Sequence, residues 1–217
     1  MEKIDNLKQQ RLEKLSKIKE LGLNPYPMKF VRDGMIKNLK ETFSGEATHT
    51  APHPNLKFAG RIVSLRKMGK AAFFHIKDFT DKIQVYIQQD SVGENNYALF
   101  KCFDMGDIVG VEGYLFTTQT GELSVHAEKV EILSKSLKAL PIVKEKETET
   151  GEKIKYDEVS DIEFRYRQRY VDLNINETSM DVFKKRCQII SFIRNYLTEK
   201  NFLEVETPIM ASLCGGA

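Results

Sequence analysis

The order of the regular segments between Phe58 and Leu133 constrains the fold of this chain more than any other feature. Apolar periodicity predicts five strands and one helix, in this order: strands 58–67, 72–79 and 82–89, helix 94–103, and strands 108–118 and 122–133. Three strands, a helix and two strands is the order of an OB-fold, a five-stranded Greek-key barrel with a helix between its third and fourth strands. We therefore predict a mainly β fold with additional helices.

The segments that flank this region are mostly helical. Apolar residues three apart predict a helix over 3–21, which Gly22 ends, and a short helix follows over 35–43. Residues 48–54 are predicted to form a loop because they contain Pro52 and Pro54. Residues 144–163 hold eight acidic and four basic residues and predict a linker or an exposed hairpin.

A long helix is predicted to follow, with Thr178 or Ser179 as its N-cap and Asn201 at its left-handed end. Its apolar stripe consists of Met180, Phe183, Cys187, Ile190, Ile193 and Leu197. Residues 202–208 then predict a strand. One helix and one strand are too little to bury that stripe, so we expect this part to belong to a larger domain.

Composition excludes several classes of protein. The three cysteines, Cys102, Cys187 and Cys214, form no CxxC pair, and the four histidines form no HExxH motif, which argues against a zinc site or a disulfide framework. No apolar run approaches the roughly 18 residues of a membrane span, and the charged N-terminus does not resemble a secretory signal. We expect a cytoplasmic protein without a membrane partner or a metal of its own.

Alternation along the strands predicts which side chains leave the barrel core. Ile83, Val85 and Ile87 form a core face, as do Phe74 with Ile76 and Leu123 with Val125 and Ala127. The first strand is ambiguous, and a long curved strand serving two sheets would explain it. The outward set is therefore Phe73, His75, Lys77, Gln84 and Tyr86, with Glu122, Ser124 and His126 on the outer side of the last strand.

An exposed aromatic ring beside amide and basic side chains suits single-stranded RNA, because an unstacked base can lie on the ring while polar groups read its edge. Residues 56–86 carry seven basic residues against two acidic ones, which would favour contact with phosphates. The alternative is ordinary packing, with Phe73 covered by the N-terminal helix and His75 and Tyr86 in cross-strand contacts. The arginines of segment 165–169 also have two interpretations: phosphate or RNA binding, and ion pairs across a subunit interface.

A series of short motifs then carries a family resemblance. It consists of Ala59-Gly60-Arg61, Met68-Gly69-Lys70-Ala71-Ala72-Phe73, Asp78, Ile83-Gln84-Val85-Tyr86, Gly106-Asp107-Ile108, Gly121-Glu122-Leu123-Ser124-Val125-His126, Arg165-Tyr166-Arg167-Gln168-Arg169-Tyr170-Val171-Asp172-Leu173, Phe202-Leu203-Glu204-Val205-Glu206-Thr207-Pro208 and Gly215-Gly216-Ala217. In this order, the series resembles the class II lysyl-tRNA synthetases: their anticodon-binding domain, the start of their catalytic domain and motif 1. Aspartyl-tRNA synthetases share the barrel, but the arginine block and Gly-Gly-Ala favour the lysyl family. Thr80-Asp81 departs from the glycines common in that turn.

The resemblance implies roles for individual residues. Phe73 matches the family's stacking aromatic for the central anticodon uridine, Gln84 the amide that reads it and Glu122 an acidic contact, while Arg66 and Arg61 match positive positions of the same face. His75, from the outward set, completes the expected anticodon-binding residues. Motif 1 forms the family's dimer interface, which would include Phe183, Ile190 and Pro208. Gly215, with Gly216, matches the family's lysine pocket.

The implied organisation has four parts: a helical extension (1–55), the OB-fold anticodon-binding domain (56–138), a linker (139–163) and an incomplete start of the α+β catalytic domain (164–217). Motifs 2 and 3 are missing from the sequence, so no catalytic residue is expected in it. The resemblance implies a lysine–tRNA ligase that forms lysyl-adenylate from ATP with magnesium, acts as a homodimer and binds the anticodon stem-loop of lysine tRNA rather than DNA. We expect this chain to bind tRNA without charging it and to hold no cofactor itself.

Two alternatives remain. The chain could be a stand-alone OB-fold module for single-stranded nucleic acid, or mainly a dimerisation unit that acts through helix 179–200.

Overall fold

The computed structural model describes residues 2–43, 54–141, 144–147, 153–156 and 161–208. Most of the predicted loop 48–54 and both Gly215 and Gly216 lie outside the described residues. The chain divides into two compact units, Met1–Leu140 and Pro141–Ala217. Within the described parts, no helix is both long and apolar enough to cross a membrane.

The first unit contains the predicted barrel. Its elements are α1 (Glu2–Glu20), α2 (Ile36–Phe43), β1 (Leu56–Met68), β2 (Ala71–Lys77), β3 (Lys82–Gln88), α3 (Gln89–Lys101), β4 (Ile108–Thr117) and β5 (Leu123–Ser134). The five strands close in the order β1-β2-β3-β5-β4, with β3 and β5 parallel and the other pairs antiparallel. The predicted OB-fold class is confirmed, and each predicted strand and helix of this region is present within a few residues.

The first strand resolves its ambiguous pattern by bending. Residues 56–61 of β1 pair with β4, whereas residues 61–68 pair with β2, and a bulge lies between Ile62 and Ser64. A bulge adds one residue to a strand and shifts the alternation of its side chains. The strand therefore serves two different neighbours, one over each half, within a single closed barrel.

The barrel core follows the alternation predicted for β2, β3 and most of β5. Phe74, Ile76 and Val85 are fully buried, as are Val125 and Ala127. Ser124 lies on the predicted outer side of its strand, but it is fully buried there. Its hydroxyl lies beneath the Gln84 side chain, 2.9 Å from the amide oxygen, so a residue on the outer side of the strand is covered by its neighbour.

A buried ionic network ties α1 to the barrel. The Lys135 ammonium lies 2.7 Å from carboxylate oxygens of both Asp104 and Asp107, and Lys14 of α1 also pairs with Asp104. Arg11 of α1 donates to the backbone carbonyls of Ser136 and Met105 at 2.8 and 2.9 Å. Burial alone would raise the pKa of Asp104, but hydrogen bonds from the two lysines outweigh it and hold that pKa below its usual range.

The second unit begins with a hairpin and continues with helices. Its elements are β6 (Lys144–Glu147), β7 (Lys153–Tyr156), α4 (Ile162–Arg167), α5 (Arg169–Ile175) and α6 (Glu177–Glu199). The two strands are antiparallel, so the acidic segment contains the hairpin that was one of its two interpretations.

The predicted N-cap of α6 and the predicted strand after this helix are wrong, whereas its predicted left-handed end is confirmed. The N-cap is Asn176, because the Ser179 hydroxyl is engaged by Asp172 and Arg165 instead. Asn201 has the expected left-handed backbone, with φ of 65°. Residues 202–208 form no strand, since a strand needs a neighbour for its backbone groups and none pairs with this segment among the described residues.

Candidate nucleic-acid interface

Two rows of side chains cross the outer face of the barrel in register. The register aligns Arg66 with Phe73, Tyr86, His126 and Tyr114, one residue from each strand. A second row runs beside it and contains Ser64, His75, Gln84, Ser124 and Phe116. We call these the aromatic row and the polar row. Side chains from all five strands thus form one continuous surface on the barrel.

The aromatic row brings its rings into contact across three strand pairs. The ring centroids of Phe73 and Tyr86 lie 4.9 Å apart, those of Tyr86 and His126 5.3 Å apart, and those of His126 and Tyr114 4.9 Å apart and nearly parallel. All four residues are partly exposed. Each ring therefore contacts its neighbour in the row while part of the aromatic surface stays open to solvent, as a stacking platform requires.

His126 contributes a neutral ring to this row. Burial lowers its pKa, an effect that Glu128 only partly offsets. Its Nδ1 is enclosed and has no hydrogen-bond partner. A neutral, enclosed imidazole beside Tyr114 and Tyr86 acts as an aromatic packing group rather than as a source of positive charge.

The four polar residues of the polar row are joined by hydrogen bonds with Glu122, which precedes β5 and forms the centre of the group. The Glu122 carboxylate lies 3.1 Å from Nε2 of His75 and accepts a hydrogen bond of 2.8 Å from Nε2 of Gln84. His75 Nδ1 lies 2.8 Å from the Ser64 hydroxyl, and the Ser124 hydroxyl donates to the Gln84 oxygen at 2.9 Å. A carboxylate only accepts, so His75 Nε2 is the donor and, in the neutral ring, Nδ1 accepts from Ser64.

Positive charge borders the rows at the end of β1. Arg66, Lys67 and Lys70 are exposed there, and Lys67 also donates to the backbone carbonyl of Lys101. Burial is the main cause that lowers the pKa of Lys67, with nearby lysines adding to it. Arg66, which stands opposite Phe73, and Lys70, in the turn between β1 and β2, are available to phosphates, whereas the Lys67 ammonium is turned to α3 and lies over the Phe100 ring.

The structure brings together most of the residues predicted from the sequence. Phe73, His75, Gln84 and Glu122 form one group, and Arg66 stands opposite Phe73 on β1. Arg61 lies outside this group, because its guanidinium donates to the Gly106 carbonyl at 2.7 Å. Burial lowers the pKa of Arg61, against the opposing effect of Asp107.

Sequence reasoning missed Ser64, Tyr114 and Phe116 as members of this surface. Tyr114 alternates with buried residues of β4, a pattern that would have placed it on the outer face. Ser64 follows the bulge of β1, and the alternation of that strand could not assign its side.

The arginine block of the second unit is used within its own chain. Arg165 donates to the buried Asp172 carboxylate at 2.9 Å, Arg169 also pairs with it, and Arg167 pairs with Glu163. Burial would raise the pKa of Asp172, but hydrogen bonds from Asn176, Arg165, Ser179 and Arg169 lower it. Neither predicted partner, RNA or a second subunit, is needed to explain Arg165 and Arg169.

The predicted dimer residues differ in exposure. Phe183 is partly buried, and the Arg169 guanidinium lies 5.3 Å from its ring centroid. Ile190 and Pro208 are exposed. The apolar stripe of α6 is thus largely uncovered, as expected for part of a larger domain.

The closed barrel and its aromatic face define an OB-fold domain of the nucleic-acid-binding kind. Comparison with known proteins agrees: residues 56–133 match the family profile of the OB-fold nucleic acid binding domain, and residues 161–217 match that of the class II tRNA synthetases (D, K and N). The chain therefore carries an OB-fold nucleic acid binding domain and part of a class II tRNA synthetase domain.

Individual relatives confirm the resemblance to the lysyl branch. The chain is 45% identical over 214 residues to the lysine–tRNA ligase of Syntrophomonas wolfei. The aligned part is 99% of this chain and 40% of that protein. It is 44% identical over 211 residues to the lysine–tRNA ligase of Staphylococcus aureus strain Mu3, covering 95% of this chain and 40% of the relative. The chain thus spans about 40% of the length of the curated relatives it matches.

Proposed function

We propose that this chain is the anticodon-recognising part of a lysine–tRNA ligase and that the outer face of its barrel binds the anticodon loop of lysine tRNA. One observation carries this proposal: Phe73 stands beside the Glu122-centred group on a face bordered by exposed basic side chains. An open aromatic ring, edge-reading polar groups and phosphate-binding charge are the three elements that single-stranded RNA recognition needs.

The residues divide the task by chemistry. Phe73, supported by Tyr86, offers its ring to an unstacked base, which contributes about 1–3 kcal/mol per base in such sites. Gln84 and Glu122 face the base edge with a donor and an acceptor. Arg66 and Lys70 bind phosphates and add a dependence on salt concentration.

The remaining functions belong to the proposed ligase as a whole. It would activate lysine with ATP and magnesium, transfer it to tRNA, act in the cytoplasm and use the exposed stripe of α6 within a homodimer. Among the residues that the structure describes, no group of three or more histidine, cysteine or acidic side chains could hold a metal ion. We propose that the RNA-binding domain spans residues 56–138.

Binding to matched RNA stem-loops tests the proposal. Anisotropy titrations would compare a labelled stem-loop with the uridine-rich lysine anticodon against the same stem with an unrelated loop. We expect clear preference for the lysine loop by the 217-residue chain. Equal affinity for unrelated oligonucleotides would instead support a general module for single-stranded nucleic acid.

A further inference from the structure

The side-chain amide of Gln84 is held at both ends in the absence of RNA. Its Nε2 donates to Glu122 at 2.8 Å, and its oxygen accepts from the Ser124 hydroxyl at 2.9 Å. We propose that His75 is a positioning residue which, by holding Glu122, fixes the direction of the Gln84 amide and thereby makes this site prefer uracil over cytosine. This inference rests on the proposed function and names the basis of its specificity.

Glu122 decides which way the amide points. A carboxylate has only acceptor groups, so the amide nitrogen of Gln84 must face it, and a flipped amide would set two oxygens against each other. Ser124 imposes no such choice, because a hydroxyl can donate or accept. The orientation of Gln84 therefore depends on Glu122 staying in place.

Burial is not what holds the Glu122 side chain in place. Its side chain is 48% exposed, whereas the His75 side chain is 26% exposed. The contact of 3.1 Å between them gives Glu122 a second tether besides Gln84. Ser64 supports the arrangement from the other side of the ring, since its contact with Nδ1 at 2.8 Å leaves Nε2 to donate toward Glu122.

The fixed amide presents one kind of group to a base. One hydrogen of Nε2 is used by Glu122, which leaves the second as a donor toward a ligand. The O4 carbonyl of uracil accepts from such a donor, whereas the amino group of cytosine at the same position places two donors together. An unmatched buried donor is unfavourable enough to separate the two pyrimidines by about fivefold or more.

The test measures discrimination rather than affinity alone. The 217-residue chain would be titrated with two stem-loops that differ only by uridine or cytidine at the central loop position. Variants Glu122→Gln and His75→Ala free the amide, because a carboxamide tolerates either orientation and a carboxylate that keeps only its bond to Gln84 can turn together with that amide. We expect each to lower the uridine-to-cytidine affinity ratio by about threefold to tenfold, while His75→Gln, which can still donate to Glu122, restores most of it.

Matched controls separate this role from general stability. Glu131→Gln removes another partly exposed carboxylate of β5, one that pairs with Lys129, and should leave the ratio unchanged. Thermal midpoints would be compared for all variants, and His75→Ala carries the test by itself if Glu122→Gln does not fold. An unchanged ratio in folded variants that still prefer the lysine loop overturns the inference and leaves the proposed function standing. Absence of any loop preference in the unaltered chain overturns the proposed function itself.

Discussion

The ring of Phe73 lies 4.9 Å from the ring of Tyr86, its directly opposite partner on β3, with 42° between the two planes. Neither ring is buried, so the contact fixes the direction of Phe73 without covering it. A ring held in advance loses little freedom when a base stacks on it, which favours binding.

Replacing Phe73 tests the stacking role. Phe73→Ala should weaken binding of the lysine stem-loop by about 1–3 kcal/mol, since one base loses its platform. Phe73→Tyr keeps the aromatic face and should bind nearly as the original chain does. The control is Phe79→Ala, which removes a Phe that is 61% exposed and lies beyond the end of β2. Equal losses for Phe73→Ala and Phe79→Ala in titrations would contradict the assignment.

Salt dependence tests the basic border. Replacing Lys70 by Gln removes one phosphate contact, so the slope of log K against log salt should become less steep by about 0.7. Phe73→Ala should lower affinity with little change in slope, because stacking releases no counterions. Lys129→Gln, at a lysine paired with Glu131 on β5, serves as the control. If the slope of log K against log salt is the same for Lys70→Gln as for the original chain, Lys70 makes no phosphate contact in the interface.

Gly113 allows β4 to approach β5 beside His126. A Cβ at this position would lie 2.0 Å from the His126 carbonyl oxygen, which belongs to the backbone and cannot turn aside. Gly113→Ala should therefore lower the free energy of unfolding by about 1–3 kcal/mol or more and weaken RNA binding through the aromatic row. Thermal unfolding checks this, with Gly121→Asn as control, since Asn tolerates the φ of 82° there. An unaltered midpoint for Gly113→Ala would show that the strands can separate.

Lys135 compensates two buried carboxylates. Lys135→Met should cost about 3–5 kcal/mol at pH 7, because Asp104 and Asp107 lose their shared partner. Burial already raises the pKa of Asp107 despite Lys135. Without Lys135 that pKa rises further, so protonation should make the variant less destabilised at pH 5 than at pH 7.

Urea unfolding at the two pH values measures this effect. Lys19→Met, at an exposed lysine of α1, should be nearly neutral at both. A loss for Lys135→Met that is independent of pH would indicate that Asp107 does not take up the proton.

Asp172 makes the second unit sensitive to acid. Its pKa lies below the usual range, because hydrogen bonds from Asn176, Arg165, Ser179 and Arg169 outweigh the effect of burial. A depressed carboxyl pKa stabilises the fold above the unfolded value of about 3.9, and this stabilisation is lost as the pH falls through the folded value. The protection of amides at the start of α6 against hydrogen exchange, taken relative to the intrinsic rate at each pH, should accordingly fall below about pH 4.

Asp172→Asn should lower this protection already at neutral pH and remove its acid-dependent fall. Asp181→Asn, at an exposed position of α6, is the control and should retain the fall. If protection in Asp172→Asn keeps the same acid dependence, another carboxylate is responsible.

Local periodicity was enough to predict the barrel and the sides of its strands. Alternation predicted that Phe73, His75 and Gln84 leave the core, because neighbouring side chains of a strand necessarily point to opposite faces. The same rule placed Ser124 on the correct side but did not predict its burial, since the side of a strand says nothing about a neighbouring side chain that covers it. It left the side of Ser64 open, because a bulge shifts the alternation of β1.

Capping and pairing at the C-terminal end were less predictable. Ser179 has the residue type of an N-cap, but its hydroxyl bonds to Asp172 and Arg165, and Asn176 takes that position. The arginine block had two external interpretations, whereas the fold supplies an internal carboxylate. In each case several partners compete for the same polar group. Composition and spacing do not show which of these partners the group will meet.

The sequence by itself determined the fold class, the family and the face on which RNA recognition is proposed, because these follow from apolar periodicity and from the order of short motifs. Only the tertiary structure decided that Glu122 joins His75 and Gln84, residues 47 and 38 positions away, and that Arg61 turns to Gly106 instead. Such choices are made by distances of about 3 Å between side chains from different strands, and a linear pattern specifies the direction of a side chain but not the partner it meets.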